Sequence, residues 1–188
     1  RFSLKGIRVV VDCANGAAYR VGPMALKELD AEIFTLASQP DGTNINEHCG
    51  TLSLEGLQKA VLDRRADVGV AFDGDGDRVI MVDENANVVD GDMILAICAY
   101  DMKQRGVLQN NKVVGTVMSN LGFLKSMQAL GIDVVQSKVG DRYVIKDMLD
   151  HHCNLGGEQS GHLIFLDHNT TGDGIVSTLQ VLRIMRQT

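Results

Sequence analysis

A chain of 188 residues has room for one large domain or two small ones, and 45% hydrophobic against 22% charged residues supplies a packed core and excludes the disordered class. The formal charge of -6, with no Lys/Arg run, argues against a nucleic-acid or anionic-membrane surface, and no apolar stretch approaches the roughly 18 residues of a membrane span. Cys13, Cys49, Cys98 and Cys153 are spaced widely and irregularly with no C-x-x-C pair, which predicts a cytoplasmic protein with scattered reduced thiols.

In chain order, residues 7–12 are a β-branched run that stops at the turn signal Cys13-Ala14-Asn15-Gly16. A helical stretch with Leu26 and Leu29 on one face follows, then a strand over 31–37 and a polar loop carrying Pro40-Asp41-Gly42. Residues 54–65 place Leu54, Leu57, Val61 and Leu62 at helical spacing. Val68–Phe72 and residues 79–82 are continuous apolar strands, so the order is βαβαββ.

The same order recurs. A strand over 112–118 ends in Ser119-Asn120-Leu121-Gly122, a helix follows over 125–130, and Gly131-Ile132-Asp133-Val134 starts the next strand. A second helix over 142–149 and a strand ending at 157 lead to Glu158-Gln159-Ser160-Gly161-His162 and the apolar run 163–166. Each half also reaches a Gly-Asp pair before an apolar helix, Gly91-Asp92 and Gly172-Asp173, where Asp92 and Asp173 are expected as N-caps. Echoes in one order imply a duplicated unit, with the boundary near 87–91 and domains at 1–88 and 89–188. The fold class is α/β: two tandem βαβαββ domains, each a three-layer α/β/α unit around a mixed sheet. Strands separated by helices pair in parallel through right-handed crossovers, and the closely joined last two form an antiparallel hairpin. Residues 73–78 and 158–162 thereby fall on equivalent tips, where a duplicated scaffold carries different chemistry. His151-His152-Cys153 is read as a solvated helix end, because adjacent side chains diverge and no second ligand pair completes a zinc tetrahedron.

The strongest chemical signal is Asp73-Gly74-Asp75-Gly76-Asp77-Arg78. Three carboxylates in five residues repel one another, whereas a hard cation removes the repulsion and the glycines let alternate carboxylates converge. An EF-hand fits Asp73, Asp75, Asp77 and Glu84, but Arg78 stands where that loop needs glycine and both flanks are strands. A haloacid dehalogenase-like phosphotransferase also places Asp-x-Asp-Gly after an apolar strand. It expects Thr or Val in place of Asp77 and leaves the duplication unexplained.

Asp-Gly-Asp-Gly-Asp-Arg on a strand–loop–strand tip is similar to the magnesium loop of the α-D-phosphohexomutase family, and Gly157-Glu158-Gln159-Ser160-Gly161-His162 resembles its sugar-binding loop. The resemblance covers essentially the whole chain as the second and third of the family's four domains. Asp12-Cys13-Ala14-Asn15-Gly16-Ala17, Pro40-Asp41-Gly42-Thr43-Asn44-Ile45-Asn46, Lys138-Val139-Gly140-Asp141-Arg142-Tyr143 and Thr170-Thr171-Gly172-Asp173-Gly174 look like the branch that interconverts glucosamine 6- and 1-phosphate. A phosphomannomutase or phosphoglucomutase branch is the alternative, and a metal-binding module without catalysis is a third reading.

The resemblance implies a phosphoserine, on another domain, that passes its phosphoryl group through a sugar bisphosphate. Asp73, Asp75 and Asp77 would hold Mg2+ there, and Arg78 would hold the phosphoserine, or the loop through a rim salt bridge. Glu158 and Ser160 would read sugar hydroxyls, with Lys138 and Arg142 as phosphate contacts or ordinary surface charges. His162 would act as an acid/base or support the loop from its rear strand. Because a Ser-His-Asn-Pro type loop and a Ser-Gly-Thr loop are lacking, the chain is expected to be a fragment that is inactive alone. Its expected partners are a hexosamine phosphate and domains 1 and 4 of the same polypeptide, with homodimerisation left open and no nucleic acid or membrane.

Overall fold

Apolar β-branched runs become strands, and each closes its open face with a helix from the segment that follows. The computed structural model describes residues 2–187. The chain divides into two units, the second spanning Asp90–Ile184 and the first taking in the residues up to Val89 together with those from Met185, so the end of the last helix is grouped with the first unit.

In the first unit, β1 (Arg8–Asp12), β2 (Glu32–Leu36), β3 (Val68–Phe72), β4 (Val79–Asp83) and β5 (Val88–Val89) form a sheet of order β2-β1-β3-β4-β5. β1 pairs in parallel with β2 and β3, and β3 pairs with β4 in an antiparallel hairpin. Helices α1 (Val21–Glu28) and α2 (Glu55–Arg64) supply the cover. The second unit repeats this with β6 (Lys112–Thr116), β7 (Asp133–Ser137), β8 (Leu155–Gly157) and β9 (Leu163–Phe165) in the order β7-β6-β8-β9. Its helices are α3 (Gly91–Gln104), α4 (Leu121–Ala129), α5 (Asp141–Asp150) and α6 (Gly174–Gln187). The two mixed sheets and their helices make the expected α/β class. All four cysteines are free and buried.

The two cores share one detail that sequence echoes did not reveal. Val10 pairs with Gly69 and Gly69 with Val82, while Val114 pairs with Gly156 and Gly156 with Ile164. The flanking residues are fully buried in the two clusters, with Leu57 and Val61 of α2 in one and Val144 and Met148 of α5 in the other. In both, glycine sits where the helix comes closest. A Cβ on Gly69 would lie 2.7 Å from Val61 Cγ2 and 2.9 Å from Leu57 Cγ, and one on Gly156 would lie 2.6 Å from Met148 Sδ.

Several expectations are corrected. Strand β5, unanticipated, pairs with β4 and widens the first sheet; two valines are too short a run to signal a strand. β6 stops at Thr116, and Val117 and Met118 turn outward, each 63% exposed. Leu62, placed on the apolar face of α2, is 54% exposed, and Leu57 and Val61 carry that face with Leu54 and Ala60 packed beside them. Asp92 is not a cap: Asp90 Oδ1 accepts the Met93 N–H at 2.9 Å. Asp92 is 1% exposed, and its Oδ2 accepts the Asn120 N–H at 2.7 Å, tying α3 to the residue that caps α4. Asp173 does cap α6, with Oδ1 accepting from Ile175 and Val176 at 2.9 and 3.0 Å.

Gly69, packed against α2, and Gly56, on the exposed side of α2, give opposite expectations. Gly69→Ala forces a methyl against α2 and should destabilise the fold by about 1–3 kcal/mol. Gly56→Ala, on α2 with nothing within 4 Å of its new Cβ, should stabilise it by about 0.5–1 kcal/mol. Urea unfolding of both variants decides, and equal midpoints would contradict the packing.

Candidate functional site

The β3–β4 hairpin carries the acidic tip. Gly76 turns the chain at φ 80°, and one carboxylate oxygen from each of Asp73, Asp75 and Asp77 lies within 4.8 Å of the other two. Asp73 is 6% exposed, and burial, reinforced by Asp77 and Asp75, pushes its carboxyl up to about 6. Hydrogen bonding to Asp73 holds Asp75 below the usual carboxylate range. Arg78 braces the cluster from the side: its Nε is 3.1 Å from Asp73 Oδ2 and 3.6 Å from Asp77 Oδ1, and its N–H donates to Asp73 Oδ1. One guanidinium against three carboxylates leaves the tip acidic. Convergent hard oxygens fit a divalent cation, which would offset both the burial that raises Asp73 and the charge of Asp77 beside it.

The tip is held in place from below. The Ala17 N–H donates to the Gly74 carbonyl at 2.8 Å, and a Cβ on Gly16 would fall 2.3 Å from that oxygen, so only glycine allows the approach. Asp12, 2% exposed at the end of β1, accepts from Ala14 and Gly50 at 2.9 Å each and fixes the loops on either side. Burial raises the Asp12 carboxyl, and the two backbone donors oppose that.

The equivalent β8–β9 tip bears Glu158 and Ser160, half-buried and exposed respectively. Its turn closes through Glu158 N–H to His162 O and Gly161 N–H to Glu158 O, both at 3.0 Å. A glycine again supports the tip: the Gly91 N–H donates to Gln159 O at 3.0 Å, and a Cβ there would lie 2.1 Å from Glu158 O. Glu158 Oε1 accepts the Gly140 N–H at 2.9 Å, which brings the segment of Lys138 and Arg142 to this tip. One oxygen of Glu158 thus serves the backbone, as an ordinary turn carboxylate would, and the other has no hydrogen bond among the described residues.

His162 is 4% exposed, and its Nε2 accepts the Gly172 N–H at 3.2 Å. A Cβ on Gly172 would lie 2.4 Å from the ring, so His162 packs flat against the loop before α6. Its ring thus lies behind the tip, with one nitrogen engaged by a peptide N–H. Lys138 Nζ and Arg142 Cζ lie 5.7 and 4.5 Å from the Tyr143 ring centroid. Asp12, Gly16, Gly91, Gly172 and Tyr143 were not singled out from sequence as site residues. Their signal lay in the repeated strand-end motifs, which mark turns without showing what backbone they meet.

Family models for phosphoglucomutase/phosphomannomutase match the chain in two pieces, alpha/beta/alpha domain II over residues 1–87 and alpha/beta/alpha domain III over residues 90–188. The chain is similar to phosphoglucosamine mutase of Protochlamydia amoebophila, at 64% identity over 100% of this chain and 41% of that protein. It is likewise similar to phosphoglucosamine mutase of Chlamydia caviae, at 60% identity over 97% of this chain and 40% of that one. It therefore spans about 40% of the length of these curated relatives. Among solved structures, a phosphoglucomutase/phosphomannomutase family protein from Burkholderia thailandensis superposes with a TM-score of 0.88 at 25% identity, over 97% of this chain and 40% of that one. N-acetylphosphoglucosamine mutase of Aspergillus fumigatus, in complex with GlcNAc-6P and magnesium, shares the fold at a TM-score of 0.75 and 20% identity, over 97% of this chain and 44% of that one.

If the acidic tip binds a divalent cation, Asp75→Asn should weaken Mn2+ binding to the 188-residue chain by about tenfold or more, because it removes one of three charged oxygen donors. Gly16→Ala should weaken it as well, by displacing the Gly74 carbonyl, with no ligand altered. Titration followed by electron paramagnetic resonance measures both, and unchanged affinity in Asp75→Asn would exclude the triad as the site.

Proposed function

The chain belongs to the phosphoglucomutase/phosphomannomutase family, and on that premise we propose that it is the central part of a phosphoglucosamine mutase, interconverting glucosamine 6-phosphate and glucosamine 1-phosphate in the cytoplasm. The likeness to curated phosphoglucosamine mutases along the whole chain carries this reading, because it takes in both tips and the segments that brace them. Domain 1 of the same polypeptide would contribute the phosphoserine, domain 4 a further phosphate contact, and the reaction would pass through a sugar bisphosphate.

Within this scheme each tip has its own task. Asp73, Asp75 and Asp77 would hold Mg2+, which when bound neutralises charge on the phosphoryl group in transfer. Arg78, with Nε on Asp73 and Asp77, keeps two of those carboxylates oriented and takes up part of their mutual repulsion. Glu158 and Ser160 read sugar hydroxyls: a carboxylate oxygen accepts, and the serine hydroxyl both donates and accepts. His162 positions the loop of Gly172. Lys138 and Arg142 supply positive charge for a substrate phosphate beside Glu158.

The full-length enzyme tests the scheme. Its kcat/KM for glucosamine phosphates should exceed that for glucose or mannose phosphates, and the reverse order would place it in another branch. Glu158→Gln weakens a charged hydrogen bond worth about 1.5–3 kcal/mol, so kcat/KM should fall roughly 10- to 150-fold while phosphorylation of the catalytic serine survives. Asp75→Asn should impair single-turnover phosphoryl transfer and spare much of the sugar affinity. Equal loss of one step in both variants would refute the separate tasks.

A further inference from the structure

Lys138 and Arg142 are unusual cations for a chain with a formal charge of -6. Both are exposed, and neither has a carboxylate within ion-pair distance among the described residues. They gather instead at one aromatic ring. Lys138 Nζ lies 5.7 Å and Arg142 Cζ 4.5 Å from the Tyr143 centroid, and Arg142 Nη2 donates to Tyr143 Oη at 2.6 Å. An exposed cation–π contact contributes about 0.5–1 kcal/mol, and repulsion between the two cations subtracts from that. Stability alone gives little reason to collect both charges there.

An anion with several oxygens changes the balance. A phosphate monoester suits a planar guanidinium fork together with a point-charge ammonium. The ring that gathers them is anchored in turn. The Tyr143 N–H donates at 2.9 Å to the carbonyl of Gly140, which sits at φ 117° and ψ 133°. Gly140 also opens α5 with no side-chain cap, and in the first turn Asp141 Oδ1 accepts the Arg142 N–H at 2.7 Å. The Gly140 N–H donates to Glu158 Oε1 at 2.9 Å. Ring, glycine and carboxylate form one continuous brace.

On the reading above that Glu158 handles the sugar, we propose that Tyr143 is a positioning residue: its ring and hydroxyl hold Lys138 and Arg142 as a paired grip on the substrate's phosphate monoester, and the Glu158–Gly140 bond fixes that grip relative to the sugar-reading carboxylate. The grip and the hydroxyl contacts would then bind one substrate as a unit.

Steady-state kinetics of the full-length enzyme with glucosamine 6-phosphate test this. Tyr143→Leu should raise KM about tenfold and leave kcat within about twofold, the pattern of lost uniform binding. Tyr143→Phe keeps the ring, loses only the bond to Arg142, and should raise KM about threefold. Lys138→Ala should raise KM about tenfold, and adding Tyr143→Leu to it should cost less than the product of the single effects, because the ring acts partly through Lys138. A generally structural tyrosine would lower kcat together with the melting temperature and would multiply with Lys138→Ala. That result overturns the proposal, as does an unchanged KM in Tyr143→Leu beside a raised one in Lys138→Ala. Should Tyr143→Leu fail to fold, an unchanged KM in Tyr143→Phe overturns it equally. Unchanged KM in both Lys138→Ala and Arg142→Ala would instead remove the phosphate-binding reading on which it rests.

Discussion

Main-chain contact with a glycine, too close for any Cβ, governs where both chemistry-bearing tips sit. The Gly74 carbonyl rests against Gly16, and the carbonyls of Glu158 and Gln159 rest against Gly91. A hairpin tip loaded with carboxylates tends to spread, because its charges repel and its glycines are permissive. A net hydrogen bond of about 0.5–1.5 kcal/mol from Ala17 to Gly74 would hold such a loop only weakly. Steric confinement adds to it: a Cβ on Gly74 would meet Asn46 Nδ2 at 2.7 Å and Ile45 Cδ1 at 2.8 Å, so Gly74 is closed in by that loop as well as by Gly16. Asp73, Asp75 and Asp77 converge because their backbone has nowhere else to go.

The duplicated cores explain why two different tips share this arrangement. Val10, Gly69 and Val82 in one sheet correspond in register to Val114, Gly156 and Ile164 in the other. Each glycine lets a helix settle directly on the central parallel strand, which fixes how that strand and its antiparallel partner leave the sheet. With the exit geometry set by packing, the tip residues were free to diverge. One tip gathers three acids and an arginine, while the other keeps a single carboxylate, a serine and a histidine turned inward.

The periodic signals were legible in sequence because they express burial directly. Continuous apolar runs mark the strands of both hairpins, and alternation marks the half-covered β2, so the parallel and antiparallel pairings follow from pattern and connection length. Other features depended on which neighbour a residue meets. Asp92 carries every local mark of a helix cap, yet its carboxylate turns to Asn120 because Asp90 occupies the capping geometry first. Tyr143 reads as one more aromatic on an amphipathic helix, and its relation to Lys138 exists only once the turn at Gly140 folds the chain back. The histidine of the Glu-Gln-Ser-Gly-His run leaves two roles open in one dimension, and its contact with Gly172 is visible only in three. Sequence pattern reports exposure well and partnership poorly.

The segment before Gly16 shows how local strain supports the geometry of the acidic tip. Ala14 and Asn15 both adopt left-handed backbone, at φ 53° and 48°. Asparagine tolerates this region, but alanine has no side chain to compensate, and such a residue costs of order 1–3 kcal/mol. Three hydrogen bonds overdetermine the conformation: Ala14 N–H to Asp12 Oδ1, Asn46 N–H to Ala14 O, and Asn15 N–H to Ala37 O. Asp12 is itself buried, its carboxyl raised by the loss of water, and it retains its place because the peptide N–H groups of Ala14 and Gly50 replace that water. The strained turn reverses the chain directly at the end of β1, which delivers Gly16 beneath Gly74 rather than a residue further along. A relaxed turn with a longer path would place a side chain at that contact and lift the acidic tip. Strain at two residues is therefore the local condition for convergence of three carboxylates on the neighbouring hairpin tip.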